Sequence, residues 1–560
     1  MTDYIEFKLP IQYVNHKILP DTIINDLDML NEHLDTKPLL KYFLNPTTLL
    51  GDNIIKQSSK YYTTNTKFLN QTKKIIKKIP LDLINRDLVG SIETFQDKWN
   101  EFKSETSFCE KYLYIDWDPL KFLNNNSEFL QINAIYNLSS PLLSLIMPIF
   151  MLILPFVILK IKGVSLSINE YLNILKTIAN NHALIKLFTN YSELNNSQTL
   201  YSIVTLFFYF FSIYQSILYS IRFYTILNKI NNFYSLLNNF TLQGINSIKW
   251  FTENVKCNEY KYFLNDIQKL SVQLQYIKTK ISNFNSLDIN FRSIFDLGKK
   301  WQLFYELFNN KSITNSIENT LCFLGYVDTI IGIKSNVVKG HLNPCKFTKN
   351  KTNIGIEKQY YPSLMNENHV TNSLNLNTNM IISGPNASGK TTILKTTLLN
   401  LIFSQTYGYG CFKKATIKPY DIFNSYLNIP DTSGRDSLFQ AEAKRCKDII
   451  DSVKKYRNKQ HFCIIDELYS GTNPIEATNS CIGFMKYMSK KTNINIFLTT
   501  HYLELCETLN DCDNIVNYSM KTSINDNRIV FHYKLEKGIS NIQGAKFILD
   551  DLKYPIDIFE

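Results

Sequence analysis

"IISGPNASGKTT", Ile381 to Thr392, decides the reading of this chain. Gly384 to Thr391 fits the pattern G-x-x-x-x-G-K-[ST]. An apolar run, Met380 to Ile382, comes before it, and "TTILKTTLLNLIF" comes after. Strand, glycine-rich turn and helix are the context in which this pattern has a mechanism. Gly384 and Gly389 let backbone N–H groups close around phosphate oxygens, and the helix N-terminus adds positive potential. Gly384, Pro385, Asn386, Ala387, Ser388, Gly389, Lys390, Thr391 and Thr392 then form a nucleotide-phosphate loop. Lys390 is expected to reach the β- and γ-phosphates, and the Thr391 hydroxyl to hold Mg²⁺.

Two later stretches extend the reading. "FCIIDELYSGT" is an apolar strand that ends in Asp466-Glu467. Asp466 is expected to bind Mg²⁺ through water, with Thr391 as the other metal residue, and Glu467 to polarise the attacking water. An acidic pair at a strand end also suits the capping of a helix N-terminus. "IFLTTHYLEL" puts His501 just after another apolar strand, in reach of the γ-phosphate or the water, although a lone histidine is more often structural. Lys390, Glu467 and His501, each at a strand end and in this order, point to an ABC-type ATPase. Its cofactors would be ATP and Mg²⁺, and its catalytic residues Glu467 and His501. In a doubly wound sheet such ends share one edge, where ligands bind.

Outward from the loop, short apolar runs alternate with helices after about Ser335, which predicts an α/β domain with a mostly parallel sheet. Residues 336–560 are expected to be a P-loop ATPase domain of ABC type. An all-helical region precedes it: 1–130 as the first part of a core or lever, 131–230 as an apolar hairpin, and 231–335 as returning lever helices. Phe263, Ile267, Leu270, Leu274, Ile277, Ile281 and Phe284 alternate steps of four and three. That 3.5-residue repeat predicts a long helix packed lengthwise on a neighbour.

The segments 138–159 and 200–221 carry no charge and are long enough to cross a bilayer, which takes about 20 apolar residues. Lys160, Lys162 and Arg222 stand just beyond them, as snorkelling residues do. Pro141, Pro148 and Pro155 are tolerable in a membrane helix. Ser202, Ser212, Gln215, Ser216 and Ser220 argue the other way. A membrane hairpin would place the region near Asn180–Asn196 on the far side. The soluble alternative is an apolar hairpin buried in a dimer.

Composition is ordinary for a folded protein, 44% hydrophobic and 19% charged. A net charge of +11 suits a nucleic acid or an anionic membrane, and equally a surface of solvated lysines. The ten cysteines include no C-x-x-C pair, so neither zinc nor a redox couple is indicated. "MTDYIEFKLP" lacks the pattern of a secretory signal, and the ATPase part is expected on the cytosolic or nuclear side.

Four stretches resemble the MutS family of DNA mismatch-repair ATPases. "SGPNASGKTT" resembles its TGPN-x-x-GKS/T loop, with Asn386 at the Asn. "IIDELYSGTNPIEA" resembles its DE-x-x-x-GT segment, including Gly471 and Thr472, and "TTHYLEL" its T-H-Y/F-x-E-L switch. "DSLFQAEAKR" resembles its S-x-F-x-x-E signature, giving Ser437, Phe439 and Glu442. "YYPSLMNENHVTNSLNL" is similar to the family's segment before the phosphate loop, with His369 at the adenine-stacking position and Asn372 nearby. The resemblance implies a dimer, here a homodimer, in which Ser437, Phe439 and Glu442 complete the partner's site. It also implies DNA as a partner. The stretch that opens "LDTKPLLKYF" is similar to the family's entry into its helical core. No counterpart of the family's mismatch-reading domain or its Phe-x-Glu wedge is found, so mismatch selectivity is expected to be weak. The apolar pair stands where the family carries its DNA clamp. Two functions follow: ATP-dependent DNA binding in mismatch repair or recombination, or a membrane-anchored ATPase with another role. A transporter ATPase fits poorly, since too few spanning segments exist.

Overall fold

The computed structural model describes residues 7–31, 37–181, 196–286, 291–350, 353–427, 438–525 and 528–540. They form two compact units that interleave in sequence. One comprises the described parts of Met1–Val89, Gln243–Val272 and Glu318–Glu560, the other those of Gly90–Leu242 and Gln273–Ile317.

The second unit is helical. Its main elements are α1 (Ser127–Ile161), the larger part of α2 (Asn196–Asn254), the end of α3 (Lys261–Ser282), and α4 (Leu297–Asn309). Aromatic rings fill its core. Phe95 stacks on Phe240 at 4.4 Å, and Phe102 meets Phe304 edge-on at 5.3 Å. Gly298 lets α4 approach α1 closely, since a Cβ there would lie 2.0 Å from the Ser127 carbonyl oxygen. Gln131 on α1 secures the same approach, its amide oxygen accepting from Gly298 N at 2.7 Å.

Both apolar segments lie on these helices. The most apolar stretches of α1 and α2 leave their side chains exposed, only 6% of each being buried. Polar groups lie between the two helices instead. Ser144 Oγ and Ser216 Oγ are 2.7 Å apart, Ser140 Oγ donates to the Ser216 carbonyl at 3.3 Å, and Ser220 Oγ donates to the Leu138 carbonyl at 3.2 Å. Leu138, Ser140 and Ser144 therefore run antiparallel to Ser216 and Ser220. A further helix, α5 (Lys311–Val338), is similarly apolar and also long enough to span a bilayer, yet 72% of its apolar window is buried. On α3 the seven-residue stripe is largely core: Phe263, Ile267, Leu274, Ile277 and Ile281 are buried, and Phe284 falls beyond the helix end.

The first unit is built on a six-stranded sheet. Its strands are β1 (Asn379–Ser383), β2 (Ile422–Tyr426), β3 (His461–Asp466), β4 (Ile494–Thr500), β5 (Ile515–Asn525) and β6 (Arg528–Lys537). Their spatial order is β6-β5-β1-β4-β3-β2, with β5–β6 antiparallel and the other neighbours parallel. β1 and β3 are buried almost throughout, which is why they read as unbroken apolar runs. Helix α6 (Lys390–Tyr407) follows β1 and is nearly all buried. α7 (Leu438–Lys455) and α8 (Pro474–Ser489) contribute Cys446, Ile449, Cys481 and Met485 to the core around β3 and β4. A five-stranded mixed sheet, with Gly355–Gln359 and Asn372–Asn375 paired antiparallel, belongs to the same unit. So do early residues: Asp28 pairs with Lys395 of α6 at 2.9 Å, and Asp26 accepts from Ser425 of β2 at 2.5 Å.

Candidate nucleotide site

Register brings the candidate residues together. Ser383 at the end of β1 pairs with Thr500 of β4, and Asp466 at the end of β3 pairs with Thr499. The side chains that follow β1, β3 and β4 therefore emerge at one sheet edge. From β1 the chain turns through Gly384 and reaches Gly389 with φ 92°, a left-handed conformation that glycine adopts without strain. A Cβ at Gly389 would come within 3.3 Å of the Tyr533 ring. Helix α6 begins at the next residue, Lys390.

Lys390 lies buried within this loop. Its ammonium donates to the carbonyl oxygens of Gly384 at 2.9 Å and Pro385 at 3.2 Å, and stands 3.7 Å from Glu467 Oε1. Burial pulls its pKa below the usual lysine value, and the Glu467 and Asp466 carboxylates pull it partly back. Thr391 Oγ1 donates to Asp466 Oδ2 at 2.7 Å, while Asp466 Oδ1 accepts from the Thr499 hydroxyl. A hydroxyl and a carboxylate held side by side are the hard oxygen donors that suit Mg²⁺, which commonly takes one or two protein ligands plus substrate phosphates.

Glu467 follows β3 with φ 49°, unusual for a side-chain-bearing residue. Its backbone N–H donates to the Thr499 carbonyl at 3.2 Å. Its Oε1 lies 2.6 Å from His501 Nε2. At that distance Nε2 carries the hydrogen, so the 3.3 Å approach of Lys390 to the same nitrogen is packing rather than a second bond. The hydrogen bond from His501 is the main reason the Glu467 carboxyl sits below its usual range, with Lys390 adding to it.

A cavity of about 520 Å³ opens beside the loop. Asn386 to Thr392, Glu467 and His369 line it. The His369 ring stacks on Tyr360 at 4.2 Å, and its Nδ1 lies 2.9 Å from the Leu364 carbonyl and 2.8 Å from that of Glu367. These contacts fix the ring's orientation. The cavity fits a nucleotide in size, since small-molecule sites run from about 300 to 1,000 Å³. Ser388 Oγ is buried here without a partner among the described residues, an unmet polar group of the kind a phosphate oxygen satisfies.

The remaining candidates are placed differently. Asn372 is buried and holds β6, donating to the Tyr533 carbonyl at 2.9 Å and accepting from Leu535 N at 2.8 Å. Ser437 lies outside the described residues. The Phe439 ring is 5.6 Å from that of Tyr469. Glu442 is buried, and its carboxylate accepts from Ser470 N at 3.1 Å, Ser470 Oγ at 2.9 Å and Gly471 N at 3.2 Å. In this structure it therefore braces its own chain's turn after Glu467 rather than facing outward to a partner. Sequence reasoning missed Tyr360, Met520 and Tyr533, which also line the cavity. The adjacent aromatics of "YYPSL" were a usable signal for Tyr360. Met520 and Tyr533 arrive from β5 and β6 through tertiary packing, and their own stretch carries no mark of it.

Part of the chain is similar to known proteins. The family model for MutS domain V matches residues 380–546. The DNA mismatch repair protein MutS of Prochlorococcus marinus (strain MIT 9301) is 26% identical over 317 residues, covering 53% of this chain and 32% of that protein. The DNA mismatch repair protein MutS of Persephonella marina is 25% identical over 236 residues, covering 41% and 26%. MutS protein homolog 4 of Homo sapiens is 30% identical over 184 residues, covering 32% and 19%. A phosphate-loop domain with strand-end carboxylates defines the class. Within that class, the chain is similar to MutS proteins over about half of its length. It spans about a third of the length of the first of these relatives.

Proposed function

We propose that the chain binds and hydrolyses ATP with Mg²⁺ as a MutS-type ATPase, and that nucleotide state governs its binding to DNA in mismatch repair or recombination. The observation that carries the reading is the convergence of Lys390, Thr391, Asp466, Glu467 and His501 at one sheet edge. Thr391 and Asp466 would hold Mg²⁺, which when bound neutralises phosphate charge. Lys390, now resting on two carbonyls, would place its ammonium on the terminal phosphates. Glu467 would take the proton of the attacking water, and its ionised state is secured by His501 and Lys390. The His369–Tyr360 stack offers a flat surface for the base. As the relatives' names concern DNA mismatch repair, DNA is the proposed partner, within a homodimer whose Ser437 region completes the opposite site.

Glu467→Gln tests the reading. ATP affinity should stay within a few fold and single-turnover hydrolysis should fall by roughly 10²–10⁴-fold. Unchanged hydrolysis would remove Glu467 from the role of base.

A second reading is favoured by one observation, the exposed apolar flanks of α1 and α2. On it, the same ATPase is anchored to a membrane and acts on something other than mismatches.

A further inference from the structure

We propose that α1 and the first part of α2 form a hairpin inserted in a bilayer, its two helices joined through serine hydroxyls and its outer faces covered by lipid acyl chains. The inference rests on the membrane reading above and goes beyond it by naming the occupant of the outer faces and the groups that hold the helices together.

Three observations carry it. The first is inversion. The polar side chains Ser140, Ser144, Ser216 and Ser220 sit between the helices and hydrogen-bond across them. The bulky apolar ones face out. In water the opposite arrangement is favoured, because apolar surface is what burial removes. In lipid the driving force changes: small residues and hydroxyl hydrogen bonds draw helices together, and apolar side chains meet acyl chains at no cost.

The second observation is that exposure surrounds the helices. On α1, Leu142, Leu143, Leu145, Ile146, Ile149 and Phe150 are all exposed, and their spacing leaves no polar outer face. On α2, Phe207, Phe208, Phe210 and Phe211 do the same. A helix that is apolar all round is buried in a protein core or a membrane. A second copy of the chain would cover one stripe of such a pair and leave the others wet. α5 provides the internal contrast, since it is similarly apolar and long enough to span a bilayer but is largely buried.

The third is length and charge. No charged residue lies between Glu128 and Lys160, or between Asn196 and Arg222. The stretches 138–159 and 200–221 each rise about 33 Å as helix, against a hydrocarbon layer of about 30 Å. Lys160 and Lys162 mark one end of the pair and Arg222 the other, positions from which long basic side chains reach headgroups. The three prolines of α1 lie inside an unbroken helix, as membrane helices allow.

The test uses the full chain carrying Ser144→Cys and Ser216→Cys, with the wild-type chain as control. It is reconstituted with vesicles of phosphatidylcholine and phosphatidylglycerol, floated, oxidised, and analysed by peptide mass spectrometry. The expected result is flotation that resists alkaline carbonate and high salt, with a 144–216 disulfide formed within single chains. A chain that stays monodisperse without detergent and does not float overturns the membrane reading, and this inference with it. A chain that floats but links 144 to 216 only between copies, or not at all, leaves the anchor standing and overturns the serine seam.

Discussion

Around Glu467 the side chains of His501 and Lys390 form one polar cluster. The Glu467 carboxylate is held by His501 at 2.6 Å and faces Lys390 at 3.7 Å, so the proposed base is tied to both the histidine and the lysine. Because the folded-state pKa of Glu467 is depressed, the stabilisation from this contact is present above the carboxyl's ordinary pKa. It is lost as pH falls through the depressed value. His501→Ala removes the first cause of that depression. The acid limb of the hydrolysis profile should then move up toward the ordinary glutamate pKa of about 4.3. Rates of the two proteins across the acid range check this, and an unmoved limb would mean that His501 does not set the ionisation of Glu467. His369 belongs to the same scale. Its place was legible only through a family resemblance, and the Tyr360 ring that orients it was not singled out within the same stretch.

The helices and turns carry the second set of consequences. Glu442 on α7 ties down Ser470 and Gly471, three and four residues past Glu467. Gly471 fits beneath α7 because it lacks a Cβ, which would come within 2.8 Å of Leu438. Glu442→Ala leaves two backbone donors without their acceptor, which costs about 1–3 kcal/mol. It should lower the melting temperature and slow hydrolysis while ATP affinity holds, because the phosphate loop is untouched. Glu442→Gln, which keeps one accepting oxygen, should recover part of both. Calorimetry alongside turnover separates this brace from a role toward a partner's nucleotide, which would slow hydrolysis and leave the melting temperature unchanged.

For the whole molecule, the proposed homodimer makes a prediction that no single chain can meet. Ser437→Arg should crowd the partner's terminal phosphate and stop hydrolysis while nucleotide affinity stays nearly normal. A mixture of Ser437→Arg and Lys390→Ala chains should regain at most one working site per dimer, measured as hydrolysis against mixing ratio. Normal turnover by Ser437→Arg alone would exclude the shared site. If DNA is the partner, the net charge of +11 makes affinity fall steeply with salt, since each neutralised phosphate releases counterions. Titration of one duplex at several salt concentrations gives that slope.

What the sequence determined by itself is local chemistry. Gly384, Gly389, Lys390 and Thr391 are legible because phosphate binding needs those residue types within one turn, and Asp466, Glu467 and His501 because each directly follows an apolar strand. Tertiary structure alone decided the rest. It set Asp28 beside Lys395, turned Glu442 inward and brought Met520 and Tyr533 over the loop, all contacts between residues far apart in the chain. It also separated three helices of similar apolarity, burying α5 and leaving the flanks of α1 and α2 exposed. Hydropathy records how apolar a helix is. Which surface covers it depends on the neighbours that folding supplies, and along α1 and α2 those neighbours meet in serines.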